Sequence, residues 1–360
     1  MNSKTRLALI VSIIVLTSNV PTRAQKVDPQ EFVVFDAPNA ISTMADSINN
    51  SGEIAGDMID PSHYPARRCF VRDRQGNVIA FDGPNASVTR FCLGINDSGD
   101  VIGIFEDAQT SITHAFVRDR LGNFDIFNSP DASATFPTGI NNSGEVAGYT
   151  VGQDGVTVHA FLRDRSGNFT LFDAPNSSKT IAWAINNAGD ITGEFIDASQ
   201  DNNDRGFVRD RQGNFVVFDA PNTSTTVTIA INNRGDVAGS ANNGNNGFGF
   251  VRNRLGGFAV LDAPNASFTL PTGNNDAGEV TGYFIDASQG NAQRGFVRDS
   301  GGNIVTFDVP NASTDLNTGS LPKAINDRGD ITGYFFDVTQ GDKVRGFVRI
   351  AHKECGGIGP

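Results

Sequence analysis

Apolar and polar residues alternate along this chain in short runs that never settle into a helical period, and the runs recur. Residues 206–239 (GFVRDRQGNFVVFDAPNTSTTVTIAINNRGDVAG) contain every kind of run. Period-two alternation broken by Gly, Asn, Asp and Pro predicts short half-buried strands joined by tight turns. Each repeat is expected to hold four. Strand a, such as Thr225 to Asn232, ends in the signature Ile-Asn-x-x-Gly, and an Asn-x-Gly turn leads into strand b from Asp236. A polar loop precedes strand c, Gly206 to Asp210, and the turn Asp210 to Asn214 folds back into strand d, Phe215 to Asp219, which Pro221 ends.

The signature occurs seven times, at Ile48 to Gly52, Ile95 to Gly99, Ile140 to Gly144, Ile185 to Gly189, Ile231 to Gly235, Asn274 to Gly278 and Ile325 to Gly329. A period in the forties, widening to about fifty at the last step, points to propeller blades and not to helical repeats. The chain first shows a lone strand d, about 31–36, and finishes on a strand c, about 346–350, with no d to follow. These two make one blade only if they pair, which removes the free edges. The expected fold is therefore all-β: a seven-bladed β-propeller of four-stranded antiparallel blades over 25–350, closed by strand d of the N-terminus on strand c of the C-terminus. Four places before the signature Ile stand Met44, Phe91, Phe136, Ile181, Val227, Leu270 and Leu321, expected as blade-to-blade core. Small residues such as Ser47, Gly94 and Ala184 alternate with them, as a crowded innermost strand requires.

Two copies carry His114-Ala115-Phe116 and His159-Ala160-Phe161, and six carry Ile-Asn-x-x-Gly-x-[Val/Ile]-x-Gly after strand a. In this the chain resembles the extracellular HAF-repeat proteins of bacteria over essentially all of 25–350. It departs from them where Gly-Phe or Cys-Phe replaces Ala-Phe and where FDAPNAS stands for a Leu-Gly-Gly-rich segment. The resemblance implies a repeat-built secreted protein and supplies no catalytic residues.

The first 24 residues read as a signal peptide: Lys4 and Arg6, an apolar run from Leu7 to Leu16, and small residues before Gln25. That run is too short to span a bilayer, so no membrane span and a periplasmic or extracellular location are expected. Losing Lys4, Arg6 and Arg23 takes the formal charge from -12 to about -15, which repels nucleic acid. Of Cys69, Cys92 and Cys355, at most one internal pair can form in an oxidising compartment. Cys69 and Cys92 replace small residues of other copies and are expected as small buried side chains. Residues 351–360 form a tail.

Candidate chemistry is sparse. His114 and His159 share a strand-c column with Arg68, Arg205, Phe248, Arg294 and Arg345, opposite the ends of the d strands at Asp82, Asn128, Asp173, Asp219, Asp262 and Asp308. Repeated cross-strand pairs are expected, Arg345 with Asp36 among them. Residues 197–204 (DASQDNND) offer oxygens for calcium but lack the Asp-x-Asp-x-Asp-Gly order and a bidentate Glu, so no cofactor is expected.

Sites on repeat scaffolds are best sought where one copy departs from its siblings. Two places before the signature Ile are Asp46, Leu93, Thr138, Trp183, Ile229, Thr272 and Lys323. Asp46 and Lys323 become neighbours on closure, as an ion pair locking the seam or as an acid and base at the axis. Trp183 is core or a sugar-stacking platform. With Arg90 and His63 these form the candidate binding set, on the face where the d–a and b–c loops emerge. The reading that follows is a monomeric binding or scaffold module for an extracellular protein or polysaccharide. The alternative is a carbohydrate- or lactone-active lyase or hydrolase with its site at the axis.

Overall fold

The computed structural model describes residues 31–351, apart from 64–66, 201–202, 243 and 245–246. The signal peptide expected over 1–24, Cys355 and all but the first residue of the tail lie outside the described residues. Among those described are 28 strands, arranged in four-stranded antiparallel sheets. The fourth repeat is representative: Ser177–Ile185, Ile191–Asp197, Asn203–Arg209 and Phe215–Phe218 pair in that order. One sheet draws on both ends of the chain. Phe32–Phe35 pairs antiparallel with Lys343–Arg349, Phe35 opposite Gly346, and beyond that strand lie Ile331–Asp337 and Ser320–Ile325.

The alternating pattern makes the strands, and their turns follow from a few obligatory residues. Each signature glycine takes a left-handed φ, between 77° at Gly144 and 86° at Gly329, which side chains with a Cβ rarely adopt. The hinge into strand a is equally regular. A threonine hydroxyl accepts from the backbone N–H six residues earlier, Ala37 to Thr43, Gly83 to Thr89, Ala174 to Thr180 and so on, with Ser320 serving Val309 in the last repeat. These hydroxyls are buried, and each satisfies a donor that the d–a crossing would otherwise leave without a partner.

Strand a corrects one expectation. Every copy carries a β-bulge two places before the signature Ile, between Ala45 and Ser47 in the first repeat and between Pro322 and Ala324 in the last. The buried positions of strand a are those three and five before the Ile, such as Ala45 and Thr43. The column expected as core lies on the opposite side: Phe91 is 41% exposed, and only Ile181 and Leu321 are buried. The packing between sheets is supplied by the strand-c phenylalanines, Phe70, Phe116, Phe161, Phe207, Phe250, Phe296 and Phe347, all fully buried. An unpaired extra residue re-aims its neighbours, so simple alternation assigns the wrong side.

The cysteines bring a second correction. Cys69, on strand c of the first repeat, is disulfide-bonded to Cys92, on strand a of the second. Both are buried, so they are a covalent tie between neighbouring sheets and not two small filler residues.

Candidate functional site

The inner ends of the seven a strands meet around one axis. At the signature end the first Asn of each copy lies buried and donates its Nδ2–H to the backbone carbonyl of the same residue in the next copy. The sequence runs Asn49 to Asn96, Asn141, Asn186, Asn232, Asn275, Asn326 and back to Asn49, at 2.9–3.2 Å. Its Oδ1 meanwhile accepts two N–H groups of its own turn, as Asn186 does from Ala188 and Asp190. A second circuit lies outside the first. The backbone N–H of Asn50 donates to Asp97, Asp97 to Asn142, and so through Asn187, Asn233, Asp276 and Asp327 back to Asn50. The shallow cavity over these circuits measures about 160 Å³. Almost every polar atom around it already has a partner.

The other end of the a strands is built differently. There the bulged column faces a column on strand b, five places after each signature Gly: Asp57, Ile104, Tyr149, Glu194, Ser240, Tyr283 and Tyr334. Asp57 is 3% exposed and pairs with Arg67 at 2.9 Å. Asp46 lies beside it, and burial followed by the Asp57 charge holds its carboxyl well above the ordinary range. Asp57 is itself raised, chiefly by burial, while Arg67 opposes the rise. The pair accordingly holds a proton on Asp46, in contact with a carboxylate that Arg67 keeps ionised. Lys323 Nζ lies 5.9 Å from the ring centre of Tyr334, whose hydroxyl burial and then Asp46 push up to about 12. The expected ion pair between Asp46 and Lys323 is not formed within 4 Å; Lys323 acts on Asp46 at longer range, and Asp46 Oδ2 is buried without a hydrogen-bond donor.

Across the axis, Trp183 packs edge-on to Tyr149 with ring centres 6.1 Å apart, and Tyr149 stacks on Phe136 at 4.9 Å. Glu194 lies beside the indole and is pushed up to about 7 by burial, then by the Asp204 charge, with Lys179 opposing. The indole N–H also opposes the rise, yet Trp183 Nε1 and Glu194 Oε2 are both buried without forming a hydrogen bond of good geometry.

Of the predicted residues, Asp46 and Lys323 thus belong to one group and Trp183 to another on the far side of the axis. Arg90 occupies an extra bulge, between Thr89 and Phe91, that the other a strands lack, and its guanidinium pairs with Glu106. His63 ends a 3-10 turn, Pro61–His63, in the first b–c loop, and its side chain lies outside the described residues. Asp57, Glu194 and Tyr334 were missed, although their column varies from copy to copy just as the bulged column does. The cross-strand column is present as expected. His114 bonds Asn128 at 2.9 Å, His159 bonds Asp173 at 2.8 Å, and Arg345 bridges Asp36 and Asp337. Among the described residues no group of three or more His, Cys, Asp or Glu could hold a metal ion, and no helix is long and apolar enough to cross a membrane.

No protein-family model matches the chain, and no curated protein matches it. Solved structures do. Virginiamycin B lyase from Staphylococcus aureus aligns with a TM-score of 0.57 at 12% identity, covering 89% of this chain and 99% of that one. A streptogramin B lyase aligns at 0.55 and 14%, covering 89% and 97%. The β-propeller domain of the Trilobed protease from Pyrococcus furiosus aligns at 0.55 and 10%, covering 86% and 96%. At such identities a likeness speaks for architecture alone. Together with the four-stranded antiparallel sheets set around one axis, it makes the fold of this chain a β-propeller.

Proposed function

We propose that the chain is a seven-bladed propeller, closed by Phe32–Phe35 on Lys343–Arg349, and that it serves as a secreted, monomeric binding module of the HAF-repeat kind for an extracellular polysaccharide. The ligand is engaged at the axial mouth on the side of the d–a and b–c loops. One observation carries the reading: the two columns around that mouth differ from copy to copy, and there they present Trp183, Tyr149, Tyr283 and Tyr334 among ionisable groups. Half-buried aromatic rings beside carboxylates suit the C–H faces and hydroxyls of sugars. Passing the processed protein over a glycan panel tests this. Retention of at least one polysaccharide, weakened roughly tenfold in Trp183→Ala, is the expected result, about 1.4 kcal/mol of binding. No retained glycan, or retention indifferent to Trp183, ends the polysaccharide reading.

A lyase or hydrolase acting on a carbohydrate or lactone is the second reading, and a specific observation favours it. Glu194, up to about 7, and the proton held on Asp46 are the kind of acids that exchange protons near neutral pH. New products from the retained glycan that vanish in Glu194→Gln or Lys323→Ala would move the assignment from binding to catalysis.

A further inference from the structure

Between the fifth and sixth repeats, on the signature side and away from the mouth, lies a cleft of about 370 Å³ lined by Arg234, Asp236, Phe258, Asn274, Arg298 and Ser300, among others. It exists because several departures from the repeat fall in one place. Asn274 stands where six copies have the signature Ile. Leu261 stands where the other d strands end in Phe, and Gly257 where the other c–d turns end in Asn. Ser300 replaces the Arg found at 74, 120, 165, 211 and 254. Most of these changes shorten the side chain.

The departures also leave polar groups unmatched. In six repeats the Arg of strand c lies over the last Phe of the preceding strand d, at 4.3 Å for Arg118 on Phe81 and 4.5 Å for Arg252 on Phe218. The others are Arg72, Arg163, Arg209 and Arg349. Arg298 has Leu261 in that place and no ring beneath it. Like Arg72, Arg118, Arg209 and Arg252 it forms no ion pair among the described residues and bonds the carbonyl of the next residue, Asp299 at 3.3 Å, so the missing ring is what sets it apart. Arg234 reaches over Gly278, space that the missing Arg at 300 leaves open, and pairs with Asp236 at 3.0 Å. Asn274 Nδ2 donates to the Asp236 carbonyl at 2.8 Å, which fixes the amide and leaves Oδ1 buried with no donor. Phe258, Val251 and Ala259 form an apolar wall.

We infer that this cleft is a binding site for a small hydroxylated monocarboxylate about the size of a sugar acid, such as a uronic acid. Arg298 holds the carboxylate, Asn274 Oδ1 accepts a hydrogen bond from a hydroxyl, and Phe258 lies under the ring. Arg234 and Arg298 against Asp236 leave one net positive charge, which matches a monoanion better than a phosphate dianion. Opposed bonding groups, a planar cation and a fixed acceptor, select a ligand that is both acidic and hydroxylated.

Calorimetric titration at pH 7 with glucuronate, glucose and inorganic phosphate tests the site. The expected result is saturable glucuronate binding, at least tenfold tighter than glucose or phosphate, and lost by tenfold or more in Arg298→Ala. The pair of substitutions Asn274→Ile and Leu261→Phe restores what the sibling repeats carry, so it should abolish binding while keeping or raising the melting temperature. Trp183→Ala should leave this binding unchanged, which separates the site from the mouth. Absence of glucuronate binding, phosphate bound in preference to it, or full affinity in the sibling-like double variant would each overturn the inference.

Discussion

The two ends of the propeller axis are built from the same a strands and differ in what they leave unsatisfied. At the signature end the same Asn recurs in every copy, and each has its donors and acceptors filled by its own turn and by the next repeat. At the mouth the side chains differ from copy to copy, and Trp183 and Glu194 each keep a buried polar atom without a hydrogen bond of good geometry, while Asp46 has only the Asp57 carboxylate beside it. Along the axis the shared residues build the ring and the unshared ones hold the unmet hydrogen-bonding capacity, although away from it the shared Arg72, Arg118, Arg163 and Arg252 also keep a buried Nε without a partner. The cleft beside Asn274 repeats the lesson on a smaller scale: where the signature fails, an acceptor is left without a donor.

Substitutions can break this contrast. The largest effect is expected in the inner circuit. Asn186→Leu leaves the buried carbonyl of Asn232 and the part-buried N–H groups of Ala188 and Asp190 without partners, and should lower unfolding free energy by about 3 to 4 kcal/mol in urea titration. Next comes the covalent tie between the first two repeats. The double variant Cys69→Ala, Cys92→Ala opens a loop of 23 residues and should cost about 3 kcal/mol, seen equally when the native protein is reduced.

At the mouth the effect depends on pH. Glu194 has its carboxyl raised from 4.5 to about 7 in the fold, so the native state holds a proton that the unfolded chain releases. The stability it contributes is therefore present below about 4.5 and declines as pH rises to about 7. Glu194→Gln should be flatter than the parent over that window by about 2 kcal/mol, read from melting curves at several pH values. The smallest change is expected in the outer circuit. Asp97→Asn keeps an acceptor for the Asn50 N–H, as Asn142 does for Asp97, and should shift stability by less than about 0.5 kcal/mol. A large loss there would mean that charge, and not hydrogen-bond geometry, holds the circuit.

Much of the architecture was open to reading because it is local. The four strands of each repeat, the turn glycines and the pairing of Arg205 with Asp219 all follow from spacings within about forty residues. The site was only half legible. Asp46, Trp183 and Lys323 stood out because they break the repeat, and the same criterion applied to strand b would have found Asp57, Glu194 and Tyr334. That strand a bulges at those positions could not be read from alternation, which assumes an unbroken pleat, and so Phe91 was assigned to the core.

By itself, then, the sequence determined the repeat, its strands and the residues that depart from it, since alternation and turn chemistry act between near neighbours. Tertiary structure alone decided that Cys69 bonds to Cys92, that Asp46 shares its surroundings with Asp57 in place of pairing with Lys323, and that the signature Asn side chains bond from one repeat to the next. These contacts join separate strands and repeats, and only the packing of sheets around a common axis sets their distances.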